Sequence, residues 1–167
     1  MKEFRFNNDH TSAEVADIVG VLRQPRLWIP TKQDYPNHQN WLDKTEGSII
    51  SGKKRAMAAY MGRDAVGTVI YQRDPNNMQT LEIRNISVSD GARGRIVGLF
   101  LLRNAEIEAV QNDFPGIKEY VLDTKVTNLN MIAFLESQGY SIKNITDLYG
   151  LDAGLDAVMS KPVKNKY

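Results

Sequence analysis

The sequence predicts an α/β fold in which one mixed sheet carries helices on both faces. Strand and helix patterns alternate in the second half of the chain, which is typical of parallel strands joined by crossover helices. Towards both ends, strand patterns follow one another across short turns, which is typical of antiparallel hairpins. The chain has 167 residues and is 42% apolar, enough for one core and short for two, so we expect a single domain over residues 1–167.

The first half of the chain is predicted to supply a strand, two helices and a hairpin. Alternating residues indicate the strand, and Thr11 or Ser12 can cap the first helix, where apolar residues recur at helical spacing. The second helix ends near Gly52, and the hairpin turns at 62–64, which reads Gly-Arg-Asp. In order, these elements are a strand over 2–7, helices over 12–22 and 37–50, and strands over 55–61 and 65–73.

The second half alternates strands and helices. Pro115 and Gly116 end the central helix, while Asn128 is a good N-cap and Gly139 suits the left-handed position after a last helical turn. The repeated letters between 151 and 157 are interpreted as a hairpin turn. The predicted order is a strand over 79–89, the central helix after Gly94, a strand over 117–123, a helix over 128–138, a strand over 140–149 and a last strand near 157–161.

Composition and charge exclude several classes of function. The formal net charge of +1 gives no electrostatic case for general binding to nucleic acid or to a membrane surface. Cysteine is absent, which excludes disulfides, thiolate metal sites and a cysteine nucleophile. With His10 and His38 as the only histidines, a multi-histidine zinc site cannot form, and we expect no metal. No segment has transmembrane length and the first residues lack a signal-peptide core, so we expect a cytoplasmic protein.

The segment from Ile86 to Leu102 passes from a strand through a glycine-punctuated turn into an amphipathic helix. The first N–H groups of such a helix have no intrahelical acceptor, and the helix dipole adds partial positive charge there. Because Arg93 and Arg95 lie in the turn, the segment is suited to a phosphate-bearing ligand. It lacks the Lys-Ser or Lys-Thr pair of a Walker loop, and its glycines have the wrong spacing for a dinucleotide fingerprint.

Two blocks of the sequence resemble one enzyme family. The run from Arg93 to Gly98, after a strand ending at Val88, resembles the acyl-CoA pyrophosphate loop of the GCN5-related N-acetyltransferases (GNAT). It departs at the middle glycine, which is Ile96 here, and a Cβ limits how closely a ligand can approach. The block over 128–140 is similar to the family's later strand-helix segment, where an Asn opens the helix and a Gly followed by an aromatic closes it.

The resemblance implies a GNAT-like domain whose co-substrate is acetyl-CoA. It implies an N-acetyltransferase, a transferase of the acyltransferase class, that acetylates a primary amine by direct attack in a ternary complex. Without a cysteine, a covalent acetyl-cysteine intermediate is impossible, which agrees with direct attack. By resemblance, the backbone of Ile86, Ser87 and Val88 pairs with the pantetheine arm, the pyrophosphate is held by Arg93, Gly94, Arg95, Ile96, Val97 and Gly98, and Asn128 bonds the cofactor.

The predicted general base is Glu82. Many family members carry a carboxylate on the strand before the loop, where Glu82 lies. Arg84 shares a face of the strand with Glu82, so a surface ion pair is the alternative interpretation. Asp123, at the end of its strand, is a weaker candidate that is equally suited to an Asx turn.

The general acid is where the resemblance fails. Many family members place a tyrosine seven residues after the helix-opening Asn, and this position is Leu135 here. Leucine cannot donate a proton. We therefore predict Tyr149 as the catalytic acid, and Tyr140, a water molecule or unassisted departure of the thiolate are the alternatives.

The acceptor is expected between the first two helices and the late hairpin. Trp28 and Tyr35 lie in an aromatic-rich stretch there, and we predict that they bind substrate; a loop anchored by the two tryptophans is the alternative. We expect a small-molecule or protein amine as partner, allow for a homodimer, and expect neither nucleic acid nor membrane. Two other functions stay open: a weak or inactive acyl-CoA-binding regulatory module, suggested by Ile96 and Leu135, and a transferase acting on tRNA or other nucleic acid.

Overall fold

A computed structural model describes residues 4–7, 12–23, 38–94, 96–149 and 154–164. Its elements are β1 (Phe4–Asn7), α1 (Ser12–Leu22), α2 (His38–Ile50), β2 (Arg55–Met61), β3 (Asp64–Arg73), β4 (Thr80–Val88), α3 (Val97–Glu108), β5 (Glu119–Lys125), α4 (Leu129–Ser137), β6 (Ser141–Thr146) and β7 (Asp156–Pro162). A 3₁₀ turn (Asp90–Ala92) precedes α3, and a π-helical turn (Ala109–Asp113) follows it.

The strands form one mixed sheet in the order β1-β2-β3-β4-β5-β7-β6. Among the described strands, β4 and β5 pair in parallel and the other neighbours pair antiparallel. Parallel neighbours cannot be joined by a tight turn, so α3 forms the crossover between them. The predicted α/β class with a mixed sheet is confirmed.

Helices lie on both faces of the sheet, as predicted. α3 and α4 cover one face, where Leu101 and Leu135 pack with Leu81 and Met159 of the strands. α1 and α2 cover the other face over β2 and β3, where Ile18 packs in a separate cluster of apolar residues. Each helix therefore buries one apolar stripe against the sheet, which is the main source of stability in such a layered fold.

Over β5, β7 and β6 no helix of the described ranges covers the second face of the sheet. Strand register places Glu82 beside Val121, and Asp123 beside Val158, on this side. These residues alternate with core residues such as Leu122. We call the surface formed by Glu82, Val121, Asp123, Val158 and their neighbours on the same side of the sheet the open face.

β4 and β5 separate after a short paired stretch. Thr80–Glu82 pairs with Glu119–Val121, and the rest of β4 pairs with β3 alone. A bulge leaves Arg84 without a partner on β3, and bulges bend strands. The β5 side of Ile83–Val88 therefore borders a gap. α3 and α4 both begin at this end of the sheet, because each follows the carboxyl end of one of the two parallel strands.

Several element boundaries differ from the predictions by a few residues. The strand predicted to reach Tyr149 ends at Thr146, because the backbone N–H of Tyr149 donates to Oδ1 of Asp147 (3.2 Å) in a turn. The central helix begins at Val97, after a 3₁₀ turn. Residues 151–153 of the predicted hairpin turn lie outside the described residues. In the described ranges, no helix is both long and apolar enough to cross a bilayer.

Candidate active site

The turn between β4 and α3 is held closed by Arg93. Its backbone N–H donates to the carbonyl oxygen of Ser89 (3.1 Å), and its Nε donates to the carbonyl oxygen of Val88 (3.0 Å). Nη1 lies 2.8 Å from Oδ1 of Asp90. Gly94 then takes a φ of +70°, in the left-handed region that glycine occupies at no steric cost. Because this turn follows the carboxyl end of β4, α3 begins beside the open end of the gap between β4 and β5, which we call the mouth of the gap.

The first turn of α3 presents backbone donors at that mouth. Ile96 is the N-cap residue, and its side chain makes no capping hydrogen bond. Within the described part of the chain, no acceptor bonds the N–H groups of Val97 or Gly98. Such donors at the positive end of a helix dipole suit an anion. The φ of Ile96 is −66°, so an isoleucine at this position causes no backbone strain. Arg95 lies outside the described residues.

Gly67 of β3 was not predicted as part of the site, yet it lets α3 approach the sheet closely. A Cβ on Gly67 would lie 3.0 Å from Cδ1 of Leu101 and 3.2 Å from both Cγ1 of Val97 and the carbonyl oxygen of Ser87. Any larger residue would therefore push on the first two turns of α3. A glycine inside a strand pattern signals such an approach, and this signal was available in the sequence.

The predicted pantetheine strand lies along the gap. Side chains of Ile86 and Val88 pack against the core, whereas Oγ of Ser87 donates to Oδ1 of Asn85 (2.6 Å). One edge of this segment pairs with β3, and the opposite edge has no strand partner among the described residues. Backbone groups on that edge are therefore available to a ligand in the gap.

Asn128 is the N-cap residue of α4 and lies next to the gap. Oδ1 accepts a hydrogen bond from the backbone N–H of Met131 (3.4 Å), and Nδ2 donates to Oγ1 of Thr124 (3.2 Å). The predicted N-cap is confirmed. Both ends of the amide thus have a partner within the protein, so a bond to a cofactor would have to share or replace one of these contacts.

Glu82 lies on the open face, with its carboxylate held by two neighbours. Nε2 of Gln72 on β3 donates to Oε2 (2.7 Å), and Nη1 of Arg84 lies 3.5 Å from the same oxygen. The ion pair considered as the alternative interpretation is therefore present. The Glu82 side chain is 25% exposed, so it is still accessible from the open face.

Tyr149 lies over the open face and contacts Asp123. Its hydroxyl donates to Oδ2 of Asp123 (2.9 Å). Nζ of Lys125 lies 5.4 Å from the centroid of the tyrosine ring, and the same Nζ is 2.9 Å from Oδ1 of Asp156. Lys125 and Asp156 are both buried. The structure thus brings a predicted acid and a weaker predicted base into direct contact, which the sequence did not indicate.

Neither the position of the family's usual tyrosine nor Tyr140 presents an accessible acid. Leu135 is fully buried in the core. The hydroxyl of Tyr140 donates to Oε1 of Glu106 (2.8 Å) inside a buried cluster, and burial raises the pKa of this tyrosine far above its ordinary value. The Tyr140 hydroxyl is thus enclosed and already bonded, whereas Tyr149 is accessible.

An open groove of about 320 Å³ runs along the open face. Its charged lining residues are Asp74, Glu82, Glu119 and Lys143. Nζ of Lys143 lies 2.9 Å from Oε2 of Glu119. Three carboxylates against one ammonium give the lining a net negative charge. Trp28 and Tyr35, predicted to bind substrate, lie outside the described residues. In the described ranges, no cluster of three or more His, Asp or Glu residues could hold a metal.

Comparison with known proteins decides the family. The model of the Acetyltransferase (GNAT) family matches residues 17–140, more than half of the chain. The chain belongs to this family. No curated protein sequence matches the chain. GNAT membership agrees with the loop and the α4 segment identified above, since both lie inside the matched region.

Solved acetyltransferase structures share this fold. An acetyltransferase of the GNAT family from Desulfovibrio desulfuricans superposes with a TM-score of 0.77 at 13% identity, covering 97% of this chain and 100% of the other. Aminoglycoside 6'-acetyltransferase type Ii gives 0.73 at 16% identity, covering 98% and 99%. PaiA N-acetyltransferase from Thermoplasma acidophilum, solved in complex with coenzyme A, gives 0.70 at 16% identity, covering 96% and 99%. At these identities the likeness shows the fold alone.

Proposed function

We propose that this GNAT protein is an N-acetyltransferase that moves the acetyl group of acetyl-CoA to a primary amine by direct attack in a ternary complex. One observation carries the proposal: the gap between β4 and β5 opens beside the uncapped first turn of α3. In parallel sheets, ligands bind outside the carboxyl ends of the strands. The neighbour solved with coenzyme A supports a CoA ligand for this fold.

The pyrophosphate of the cofactor would lie at the loop from Arg93 to Gly98. The N–H groups of Val97 and Gly98 would donate to phosphate oxygens, while Arg93 keeps the turn closed and adds positive charge. Ile96 is the N-cap residue and is 61% exposed, so its side chain points away from the core. The departure from the family pattern at this position would therefore be compatible with the proposed anion site.

The pantetheine arm would pair with the free edge of Ile86–Val88. An N–H group on that edge would face the thioester oxygen, which gains negative charge as the tetrahedral intermediate forms. Asn128, at the start of α4, would contact the arm from the other side of the gap. The pantetheine arm would thus lie between β4 and β5 in the place of an additional strand.

The acceptor amine would enter from the open face. A lysine-type amine has a pKa of about 10.4 and is mostly protonated at neutral pH, so it must lose a proton before it attacks. Glu82 is the candidate that accepts this first proton, since its carboxylate lines the groove. The net negative lining favours a cationic small molecule or protein amine over an anionic acceptor.

Calorimetric titration with acetyl-CoA tests the cofactor site. Arg93→Glu should weaken binding at least tenfold, about 1.4 kcal/mol, because the loop loses two contacts and gains a charge that repels phosphate. Lys53→Glu changes the charge by the same amount in an exposed turn and is the matched control. Glu82→Gln should leave binding unchanged. Equal affinity of the Arg93 and Lys53 variants would contradict the assignment of the loop.

Thiol release then tests transfer. Wild-type protein with acetyl-CoA should release free thiol only when an amine acceptor is added from a panel of polyamines, amino sugars, amino acids and peptides. Cationic acceptors should be preferred. Tight binding of acetyl-CoA without release for any amine would favour the second candidate, an acyl-CoA-binding module, which the replacement of the usual tyrosine by buried Leu135 supports.

A further inference from the structure

We propose that Asp123 and Tyr149 form a proton relay that carries a proton from the acceptor nitrogen to the CoA sulfur. The proposal rests on the acetyl transfer proposed above and adds a route for its second proton. It assigns a role to the Tyr149–Asp123 hydrogen bond, in which the tyrosine hydroxyl lies 2.9 Å from the carboxylate.

The chemistry of amide formation requires two proton losses from nitrogen. A primary ammonium has three N–H bonds, and the amide product keeps one. Glu82 is the candidate for the first proton, which passes to solvent. The second proton stays on nitrogen until the N–C bond has formed. As the C–S bond breaks, sulfur takes the bonding electron pair and needs one proton to become a thiol. The second proton can therefore supply the sulfur.

Asp123 lies at the border between the gap and the groove. It is the second residue of β5 beyond Val121, the last position that pairs with β4, so its backbone borders the gap. Its neighbour across the β5–β7 pair is Val158, which lines the groove on the open face. A thioester in the gap and an amine in the groove would meet at this position.

A buried ion pair positions the relay. Nζ of Lys125 contacts Asp156 at 2.9 Å and the carbonyl oxygen of Gly154 at 3.0 Å, which ties β5 to the start of β7. The backbone N–H of Leu148 donates to Oδ2 of Asp156 (3.4 Å), which fixes the turn that carries Tyr149. The lysine cation beside the ring also stabilises the negative charge that grows on the phenol as it gives up its proton.

The proposed step balances within the two substrates and the two side chains. Tyr149 donates its proton to sulfur as the C–S bond breaks, and Asp123 accepts a proton from the nitrogen of the tetrahedral intermediate. Asp123 then returns this proton to the tyrosine oxygen across their hydrogen bond. Nitrogen loses one proton, sulfur gains one, and both side chains end in their starting state.

Kinetics of four proteins test the relay: wild type, Tyr149→Phe, Asp123→Asn and the double variant. With an amine that the wild type uses, each single variant should lower kcat by about 100-fold while KM for acetyl-CoA stays within about threefold. The double variant should be no slower than the slower single variant, because groups that act as one unit lose their effect together. Thermal melts check that the variants fold. We expect them to fold, because the Tyr149 side chain is exposed and because the amide in Asp123→Asn has nearly the same shape as the carboxylate that it replaces.

Two further measurements separate a relay from a structural contact. Tyr71→Phe removes a tyrosine–aspartate hydrogen bond of similar length from a buried tyrosine, to Asp113 at 2.8 Å, and should leave kcat unchanged. An acetyl ester of the selenium analogue of CoA has a leaving group that departs without a proton, so the loss caused by Tyr149→Phe should shrink with it. An undiminished loss would overturn the assignment of Tyr149 as donor to the leaving group.

The remaining outcomes are equally decisive. Single variants within about threefold of the wild-type kcat, or losses that multiply in the double variant, overturn the relay and leave acetyl transfer standing. A wild-type protein that releases no thiol with any amine overturns the proposed function, and the relay with it. Failure of the relay is therefore distinguished from failure of the proposed function by the activity of the wild type.

Discussion

Replacing Lys161 with methionine should lower the free energy of unfolding by about 3 kcal/mol, because Glu106 would stay buried without its main cation. Nζ of Lys161 lies 2.7 Å and 2.6 Å from the two carboxylate oxygens, and both residues are less than a tenth exposed. After the replacement, Glu106 keeps the hydroxyl of Tyr140 at 2.8 Å and Nη1 of Arg103 at 3.4 Å. These contacts place the loss at the low end of the ~3–5 kcal/mol expected for breaking a buried pair.

Replacing Glu106 with leucine should destabilise the fold more. Lys161 would then face the rings of Tyr120 and Tyr140, whose centroids lie 5.6 Å and 5.2 Å from its Nζ. Burial already lowers the pKa of Lys161, and Glu106 opposes this shift by hydrogen bonding and charge. Without the carboxylate, Lys161 can lose its proton instead of staying charged. Deprotonating an amine with a pKa of about 10.4 at pH 7 costs about 4.6 kcal/mol, which sets the upper bound for the lysine's contribution to the loss.

The double variant Glu106→Leu/Lys161→Met should be more stable than either single variant, because neither charge is left unpaired. Thermal unfolding followed by circular dichroism measures this. For a chain of this length, about 3 kcal/mol corresponds to a melting temperature lower by roughly 6–12 °C. A double variant whose loss equals the sum of the two single losses would refute the reasoning, because the side chains would then contribute independently.

Two more predictions concern Gly67 and the buried tyrosines. Gly67→Ala should lower stability by about 1 kcal/mol, since overpacking outweighs the gain from replacing a strand glycine, and it should weaken acetyl-CoA binding in the calorimeter because Val97 in the first turn of α3 must move. Gly20→Ala, which meets open space in α1, should stabilise instead, and a loss there equal to that at Gly67 would contradict the packing explanation. Burial raises the pKa of Tyr120 in the folded protein to about 12, from 10.0 in the unfolded chain. The stabilisation that comes from this shift is therefore fully present below pH 10.0 and is lost as the pH rises from there through 12. At pH 11 this loss is about 1.4 kcal/mol. Urea unfolding at pH 8 and at pH 11 measures how far the free energy of unfolding falls, and the fall should be smaller by this amount in Tyr120→Phe than in the wild type. An equal fall in both proteins would contradict the prediction.

The parts of the candidate site that could be predicted from the sequence are those set by a few adjacent residues. Gly94 takes the left-handed conformation that ends the turn, and the side chain of Asn128 caps α4, as a glycine in a turn and an Asn before an apolar run indicate. α3 was predicted from its apolar periodicity, and its start was placed within a few residues. Local chemistry is sufficient for such features, because the partners are neighbours in the chain.

Contacts between distant segments were not predictable in this way. Glu106 and Lys161 are 55 residues apart, and Asp123 and Tyr149 are 26 apart, so no spacing rule relates them. The pattern of a strand also does not reveal where its pairing with a neighbour stops. The gap between β4 and β5 follows only from the register of β3, β4 and β5 and from the bulge at Arg84. The strand predicted to end at Tyr149 was too long for a related reason: the turn at Asp147 depends on a side chain that accepts a backbone hydrogen bond.

The order of elements along the chain would let the two substrates of the proposed reaction reach the gap from different sides. β4 and β5 are parallel, so α3 and α4 start at one end of the sheet, and both helices then pack on the same face. The cofactor would therefore approach from the helix starts, while the opposite face stays uncovered beside Glu82 and Asp123. An amine on that face can attack a thioester in the gap while the cofactor is bound. Direct transfer in a ternary complex requires both substrates to be bound at once, and the uncovered face leaves room for the amine beside the bound cofactor.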